Sequence, residues 1–222
     1  MKGSSARQDL SVILVTGSYD KEIRFWEAWS GICSKTISRS ASSESGQVNR
    51  LAISPDKRLL AAAIHKKVNI YEISNASNTP IQMFEGNAGH TGNVTAVSFH
   101  AEGKWVVTGS EDGTIKIWDL MSGQPQRNYD NGAPVNDVCI HPNQGELISC
   151  DQAGSIKLWD LSENVCMLDL APAGDVPIRS VTIASDGSCL VAGNNKSRRK
   201  ISRDMFSGYN RQNLVYQSEL GF

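Results

Sequence analysis

Two stretches of the chain carry the same order of apolar and polar positions, 41 residues apart. Val94 to Leu120 (VTAVSFHAEGKWVVTGSEDGTIKIWDL) and Val135 to Leu161 (VNDVCIHPNQGELISCDQAGSIKLWDL) each open on an apolar run, break at a polar turn, resume with a second apolar run and close on Trp-Asp. Alternation with period two places apolar side chains on one face of an extended strand. Val94, Ala96, Val97 and Phe99, followed by Trp105, Val106 and Val107, therefore predict two strands joined as a hairpin through His100 to Lys104. A second turn, Glu111-Asp112-Gly113, leads into a third strand in which Ile115 and Ile117 alternate with polar residues up to Trp118. The linker before the next copy has room for a fourth strand.

The same template recurs more weakly on both sides. Val48 to Ile73 matches it 46 residues earlier, with Tyr71-Glu72 standing where Trp118-Asp119 stands. Leu14 to Glu27 keeps the second half of a unit and ends in Trp26-Glu27, and Ile178 to Lys196 keeps the first half. No third strand ending in Trp is expected after Lys196. A repeat of about 40 residues built from short strands and closing on Trp-Asp is the pattern of a four-stranded propeller blade. The predicted fold is all-β: a propeller over residues 9–196, with units near 11–33, 48–73, 90–121, 135–161 and 178–196. Residues 197–222 read as a non-repeat tail, expected to be disordered.

His90, Thr108, Asp112 and Trp118 stand in the best copy as they do in WD-repeat propellers, which the chain resembles. That resemblance implies a hydrogen-bonded chain from the histidine through the hydroxyl to the indole, tied by the aspartate. Such a buried chain is stabilising only when every member is satisfied. Thr16, Asp20 and Trp26 hold the same relative positions in the first copy, but no histidine precedes them. In the fourth copy, which closes on Trp159, Ala153 replaces the aspartate, so its network is expected to be incomplete. All of these residues are read as structural and not catalytic.

Composition adds little beyond exclusions. The chain has 222 residues, 40% hydrophobic and 20% charged, with a formal net charge of −1. The near-neutral balance argues against a nucleic-acid partner, and the one basic cluster, Lys196 to Arg203 (KSRRKISR), reads as a solvated tail or as a localisation or phosphorylation signal at Ser202. The apolar run Val12 to Val15 is too short for a signal peptide or a membrane span, so no direct membrane insertion and a cytoplasmic location are expected. Five cysteines form no CxxC pair, which suggests neither a zinc site nor a disulfide framework. Cys139 and Cys150 fall in strand-like runs as small core residues. The sequons at Asn75, Asn93 and Asn195 have no consequence in the cytosol. Phosphate-loop, dinucleotide and metalloprotease motifs are all missing, and the four histidines are spread through the repeats, so no cofactor and no catalysis are expected. His141-Pro142-Asn143 reads as a hairpin turn, with Asn143 as its left-handed residue.

The segments Tyr19 to Cys33 (YDKEIRFWEAWSGIC), Val48 to Ala63 (VNRLAISPDKRLLAAA), Gly103 to Leu120 and Val135 to Ser149 (VNDVCIHPNQGELIS) resemble the small WD-repeat subunit of the target-of-rapamycin (TOR) kinase complexes, also called G-protein β-subunit-like protein, in its fungal form. The resemblance runs from about Ser11 to Lys196. It implies a seven-bladed, non-catalytic adaptor, of which this chain holds about four and a half blades. The expected partners are the TOR kinase catalytic domain and the other TOR complex subunits, with peripheral attachment to endomembranes through the complex. Contacts are expected on loops at one face, with Asn87 to Asn93 a candidate by position. A family member continues past Lys196 into a strand ending near Trp, so the tail reads as joined on by a shifted frame or altered splicing. An open arc leaves two apolar blade faces bare, while closure into a smaller ring requires every wedge angle to change. The alternatives are a WD-repeat adaptor or substrate receptor in another complex, and a truncated product without function.

Overall fold

The computed structural model describes residues 12–38, 46–75, 77–172, 174–194 and 198–202, and within them every regular element is a strand. Five antiparallel sheets follow one another along the chain. The first holds β1 (Ile13–Gly17), β2 (Ile23–Glu27) and β3 (Cys33–Ile37); the second β4 (Val48–Ile53), β5 (Leu59–Ile64), β6 (Lys67–Glu72) and β7 (Gln82–Phe84). The third holds β8 (Val94–Phe99), β9 (Trp105–Ser110), β10 (Thr114–Asp119) and β11 (Pro125–Asp130). β12 (Val135–Ile140), β13 (Glu146–Asp151), β14 (Ile156–Asp160) and β15 (Val165–Leu170) form the fourth, and β16 (Ile178–Ile183), β17 (Cys189–Asn194) and β18 (Arg198–Ser202) the fifth. Strands neighbour one another in sequence order within each sheet, and among the described strands no pairing joins the first sheet to the fifth.

Register makes the repeat explicit. Leu14 faces Trp26, Leu60 faces Tyr71, Val106 faces Trp118 and Leu147 faces Trp159, so these aromatic residues share one position on the third strand of the template. Leu190 faces Ile201 in the same way. A third strand therefore does follow the fifth copy, without a Trp, inside the stretch read as a tail. The rest of that tail, 203–222, lies outside the described residues.

Turns repeat as strictly as strands. The turn between first and second strands closes with a left-handed residue at its fourth position: Lys57 (φ 61°), Gly103 (φ 67°), Gln144 (φ 61°) and Gly187 (φ 71°). In the fourth sheet that residue is Gln144 and not Asn143. Asn143 instead uses its side chain, accepting from the Gly145 amide at 3.1 Å, a local side-chain bond of the kind that suits Asn to turns.

Apolar burial occurs between sheets. Ile23, Phe25 and Ile37 of the first sheet pack on Leu60, Ala62 and Tyr71 of the second. Ala61, Ile70 and Phe84 of the second pack on Val94, Val106 and Trp118 of the third, and the pattern continues through two further clusters to Leu190 and Ala192. In the second, third and fourth sheets the template aromatic sits against the outer strand of the sheet before it. Phe84 stacks on Trp118 with centroids 5.1 Å apart, and Tyr129 tilts on Trp159 at 5.3 Å, geometries that add to the burial of the rings.

Close approach at these interfaces dictates small residues on the second strand. A Cβ at Gly109 would lie 2.6 Å from Val135 Cγ1 and 3.1 Å from Val138 Cγ1. Overpacking of this kind costs about 1–3 kcal/mol, so Gly109→Ala should lower the urea midpoint accordingly. At Gly145, where an added Cβ meets nothing within 4 Å, the same substitution should change stability by less than about 0.5 kcal/mol.

Candidate functional site

The third sheet carries a continuous polar chain just under one loop face. Trp118 Nε1 donates to Thr108 Oγ1 at 2.8 Å, and that hydroxyl lies 2.7 Å from His90 Nε2. His90 Nδ1 stands 3.1 Å from Asp112 Oδ2. A carboxylate at Nδ1 requires the proton on that nitrogen, which leaves Nε2 to accept from Thr108. Every group thus donates toward the carboxylate, from indole to hydroxyl to imidazole. Asp112 also accepts from the Thr91 amide at 2.8 Å, the Thr114 amide at 2.9 Å and the Thr114 hydroxyl at 2.6 Å. Burial opposes ionisation of Asp112, but the Thr114 hydroxyl, the Thr91 and Thr114 amides and His90 together hold its carboxyl far below the usual carboxylate range. Burial lowers the His90 pKa, against the pull of Asp112, and keeps the ring neutral near pH 7.

The fourth sheet builds an equivalent chain from other residues. Trp159 Nε1 donates to Ser149 Oγ at 2.9 Å, Ser149 donates to Asn131 Oδ1 at 2.9 Å, and Asn131 Nδ2 donates to Asp151 Oδ2 at 3.0 Å. Asn131 lies 41 residues after His90. Asp151 lies two positions before Ala153 and supplies the carboxylate. The expected gap at Ala153 is therefore filled, because an Asn is shorter than a His and meets a carboxylate set closer on the strand.

The first two sheets depart further. Trp26 Nε1 donates to Thr16 Oγ1 at 2.8 Å, but on the exposed side of the first sheet. Asp20 turns away to Arg24 at 2.8 Å and accepts from the Glu22 amide at 3.0 Å. In the second sheet Ala62 stands at the Thr108 position, and the buried bond runs from Asn69 Nδ2 to Tyr71 OH at 3.0 Å.

A second set of polar ties escaped the sequence reading. The first strands of the second to fifth sheets each carry a β-bulge at their second residue, between Val48 and Arg50, Val94 and Ala96, Val135 and Asp137, and Ile178 and Ser180. A bulge re-aims the extra side chain. Asn49 Nδ2 donates to Val94 O at 2.9 Å, Thr95 Oγ1 to Val135 O at 2.7 Å, and Asn136 Nδ2 to Ile178 O at 2.7 Å. The sequence signal is a polar donor directly after the first apolar residue of each repeat.

These ties define two loop faces of different character. The face above the polar chains carries loop 85–93 and turns 111–113 and 131–134, and Asn93 Nδ2 donates to Glu111 Oε2 at 2.8 Å across it. The opposite face exposes Trp29 (80%), Ile32 (60%), Ile81 (52%) and Met121 (95%). Among the described residues no group of three or more His, Cys, Asp or Glu is placed to hold a metal ion. Burial pushes the Cys139 thiol up to about 12, and Cys150 is raised further by the same cause, so both stay protonated and inert. Among the described residues no helix is long and apolar enough to cross a membrane.

Residues 34–201 match a β-propeller family model described as Nucleolar protein 10-like, N-terminal domain. The chain belongs to this β-propeller family. It is also 58% identical over 186 residues to the target of rapamycin complex subunit wat1 of Schizosaccharomyces pombe, covering 84% of this chain and 57% of that protein. Identity is 55% to the target of rapamycin complex subunit LST8 of Saccharomyces cerevisiae, over 84% of this chain and 59% of that protein. To the LST8 subunit of Bos taurus it is 42%, over 82% of this chain and 54% of that protein. Its homologues are thus LST8 proteins, and the chain spans little more than half their length.

Two measurements check the polar chain of this propeller. Thr108→Val keeps the shape but strands the Trp118 indole and the His90 ring, and should cost about 1–3 kcal/mol in urea unfolding, while Thr108→Ser should recover most of it. His90, with a folded pKa below its unfolded value, contributes stability that is complete above about pH 6.5 and lost as pH falls through that point toward the folded pKa. His90→Asn, which removes the titrating ring without supplying the closer carboxylate that Asn131 meets in the fourth sheet, should flatten the fall in Tm between pH 7 and pH 5.

Proposed function

We propose that this chain acts as a non-catalytic scaffold of TOR kinase complexes, binding and stabilising the kinase domain through one loop face of its propeller. The reading rests above all on identity of 58% and 55%, over 84% of the chain, to proteins named as target of rapamycin complex subunits. Physical chemistry supports it in two ways. His90 and Asp112, both with shifted pKa values, sit inside one hydrogen-bonded tie, and that tie anchors loop 85–93 so that a partner meets a pre-ordered surface. The non-catalytic character, the kinase domain as partner and a cytoplasmic location attached to membranes through the complex all belong to this proposal.

The exposed first sheet gives a second reading its footing. Val12, Ile13 and Leu14 are 66%, 44% and 55% exposed, an apolar edge that favours association or degradation over specific binding. Tagged chain expressed in a fungal host decides between them. Recovery of the TOR kinase supports the scaffold; recovery of a ubiquitin ligase or coat complex assigns the chain to another machinery, and recovery of nothing by a folded chain marks a product without function. Asn87→Arg and Trp29→Ser, one on each loop face, should differ in recovery by about tenfold or more if one of them touches a binding hot spot.

A further inference from the structure

Arg50 and Asp137 meet although 87 residues separate them and a whole sheet stands between. Arg50 is the third residue of β4 and Asp137 the third residue of β12, each directly after the bulge of its strand. Arg50 Nη2 lies 3.1 Å from Asp137 Oδ1 and 3.3 Å from Oδ2. On β8, which lies between them, the corresponding residue is Ala96, fully buried and without a polar side-chain atom. Asp137 accepts further bonds from the Val138 amide at 3.0 Å and from the Val181 amide of β16 at 3.2 Å. One carboxylate, its side chain 2% exposed, therefore joins the second, fourth and fifth sheets.

Most contacts in this fold link a sheet only to its neighbour, as do the Asn49, Thr95 and Asn136 donors. This one skips a neighbour, and it uses a buried charge held by two amides and a guanidinium. A buried carboxylate that lost the guanidinium would stay in place only at a penalty, so its partners are held in position by its need for them.

We propose that Arg50, Asp137 and the Val181 amide form a latch along the inner rim of the propeller that fixes the angles among the second, third, fourth and fifth sheets. The third sheet is clasped without contributing a side chain to it. Neighbouring faces are apolar and non-directional; Asn49, Thr95 and Asn136 tie each sheet to the next, and the latch adds a directional tie that spans an intervening sheet.

Amide hydrogen exchange on the intact chain tests this in Arg50→Met, Asp137→Asn and the double variant, with β9 amides as the internal reference. The polar partner of Arg50 is Asp137 of the fourth sheet, yet Arg50→Met should speed exchange at Val181 of the fifth by about fivefold or more while leaving β9 within about twofold, because a latch transmits the loss and a local contact does not. The double variant should match Asp137→Asn alone, the signature of coupled groups. Unchanged exchange at Val181 in Arg50→Met, an equal rise across β9, or effects that multiply in the double variant would each overturn the latch. If Asp137→Asn does not fold, Arg50→Lys replaces it in the comparison: a lysine reaching Asp137 should restore slow exchange at Val181 relative to Arg50→Met, and failure to do so counts against the proposal.

Discussion

Burial of one sheet's face against the next is the constraint from which the rest of this structure follows. A single sheet of three or four short strands has two faces and cannot bury either alone. Leu14 shows the consequence directly: it is 55% exposed, while its register equivalents Leu60, Val106, Leu147 and Leu190 are fully buried. The residue type hardly changes. What changes, among the described residues, is whether a strand pairs on its inner side and a sheet packs before it. The close fit at Gly109 and the stacking of Phe84 on Trp118 are expressions of the same requirement, since two twisted sheets can be brought close only where small and flat side chains meet.

Apolar contact alone would leave neighbouring sheets free to slide and tilt. Directionality comes from polar groups placed at the two ends of the interface. Near the loop face, the chains through Thr108 and Ser149 fix the indole, and through it the ring that packs on the preceding sheet. Along the inner rim, bulged residues such as Asn49 and Asn136 hand hydrogen bonds forward from one sheet to the next. The first set is buried and the second half-buried, so the bonds through Thr108 and Ser149 are worth more made and cost more when broken than they would at the surface.

The legibility of these features in the sequence divides along physical lines. Strands buried on both faces, β9 and β13 for instance, write themselves in apolar runs, and Trp118 and Trp159 mark the end of the third strand without ambiguity. Outer strands do not: β11 (PQRNYD) and β7 (QMF) are half solvated, and only Tyr129 and Phe84 in them carry a packing signal. The strand at Arg198–Ser202 was hidden by its basic composition, because pairing is a backbone matter that side-chain charge conceals. Asn131 was missed for a different reason. A template that expects His and Asp at fixed places cannot see that a shorter amide paired with Asp151 satisfies the same indole and hydroxyl. The Asn49, Thr95 and Asn136 donors depend on bulges, which shift a side chain by one place and leave no mark on periodicity.

In the scaffold reading, function is a property of surfaces whose shape the interior enforces. The groups that reason from chemistry alone would single out, His90 with Asp112 or the buried Cys150, have their lone pairs and protons committed inward. A histidine whose two nitrogens are already bonded to a hydroxyl and a carboxylate has none left for a substrate. What remains outward is loop backbone pinned from below on one face and exposed Trp29 and Met121 on the other. The same bonds that remove His90 from chemistry hold loop 85–93 in place, through Thr91 and Gly92 as well as through the ring. Stabilising the sheet and presenting the surface are therefore one act, and a substitution in the polar chain should disturb binding by way of the loops it anchors even though it contacts no partner.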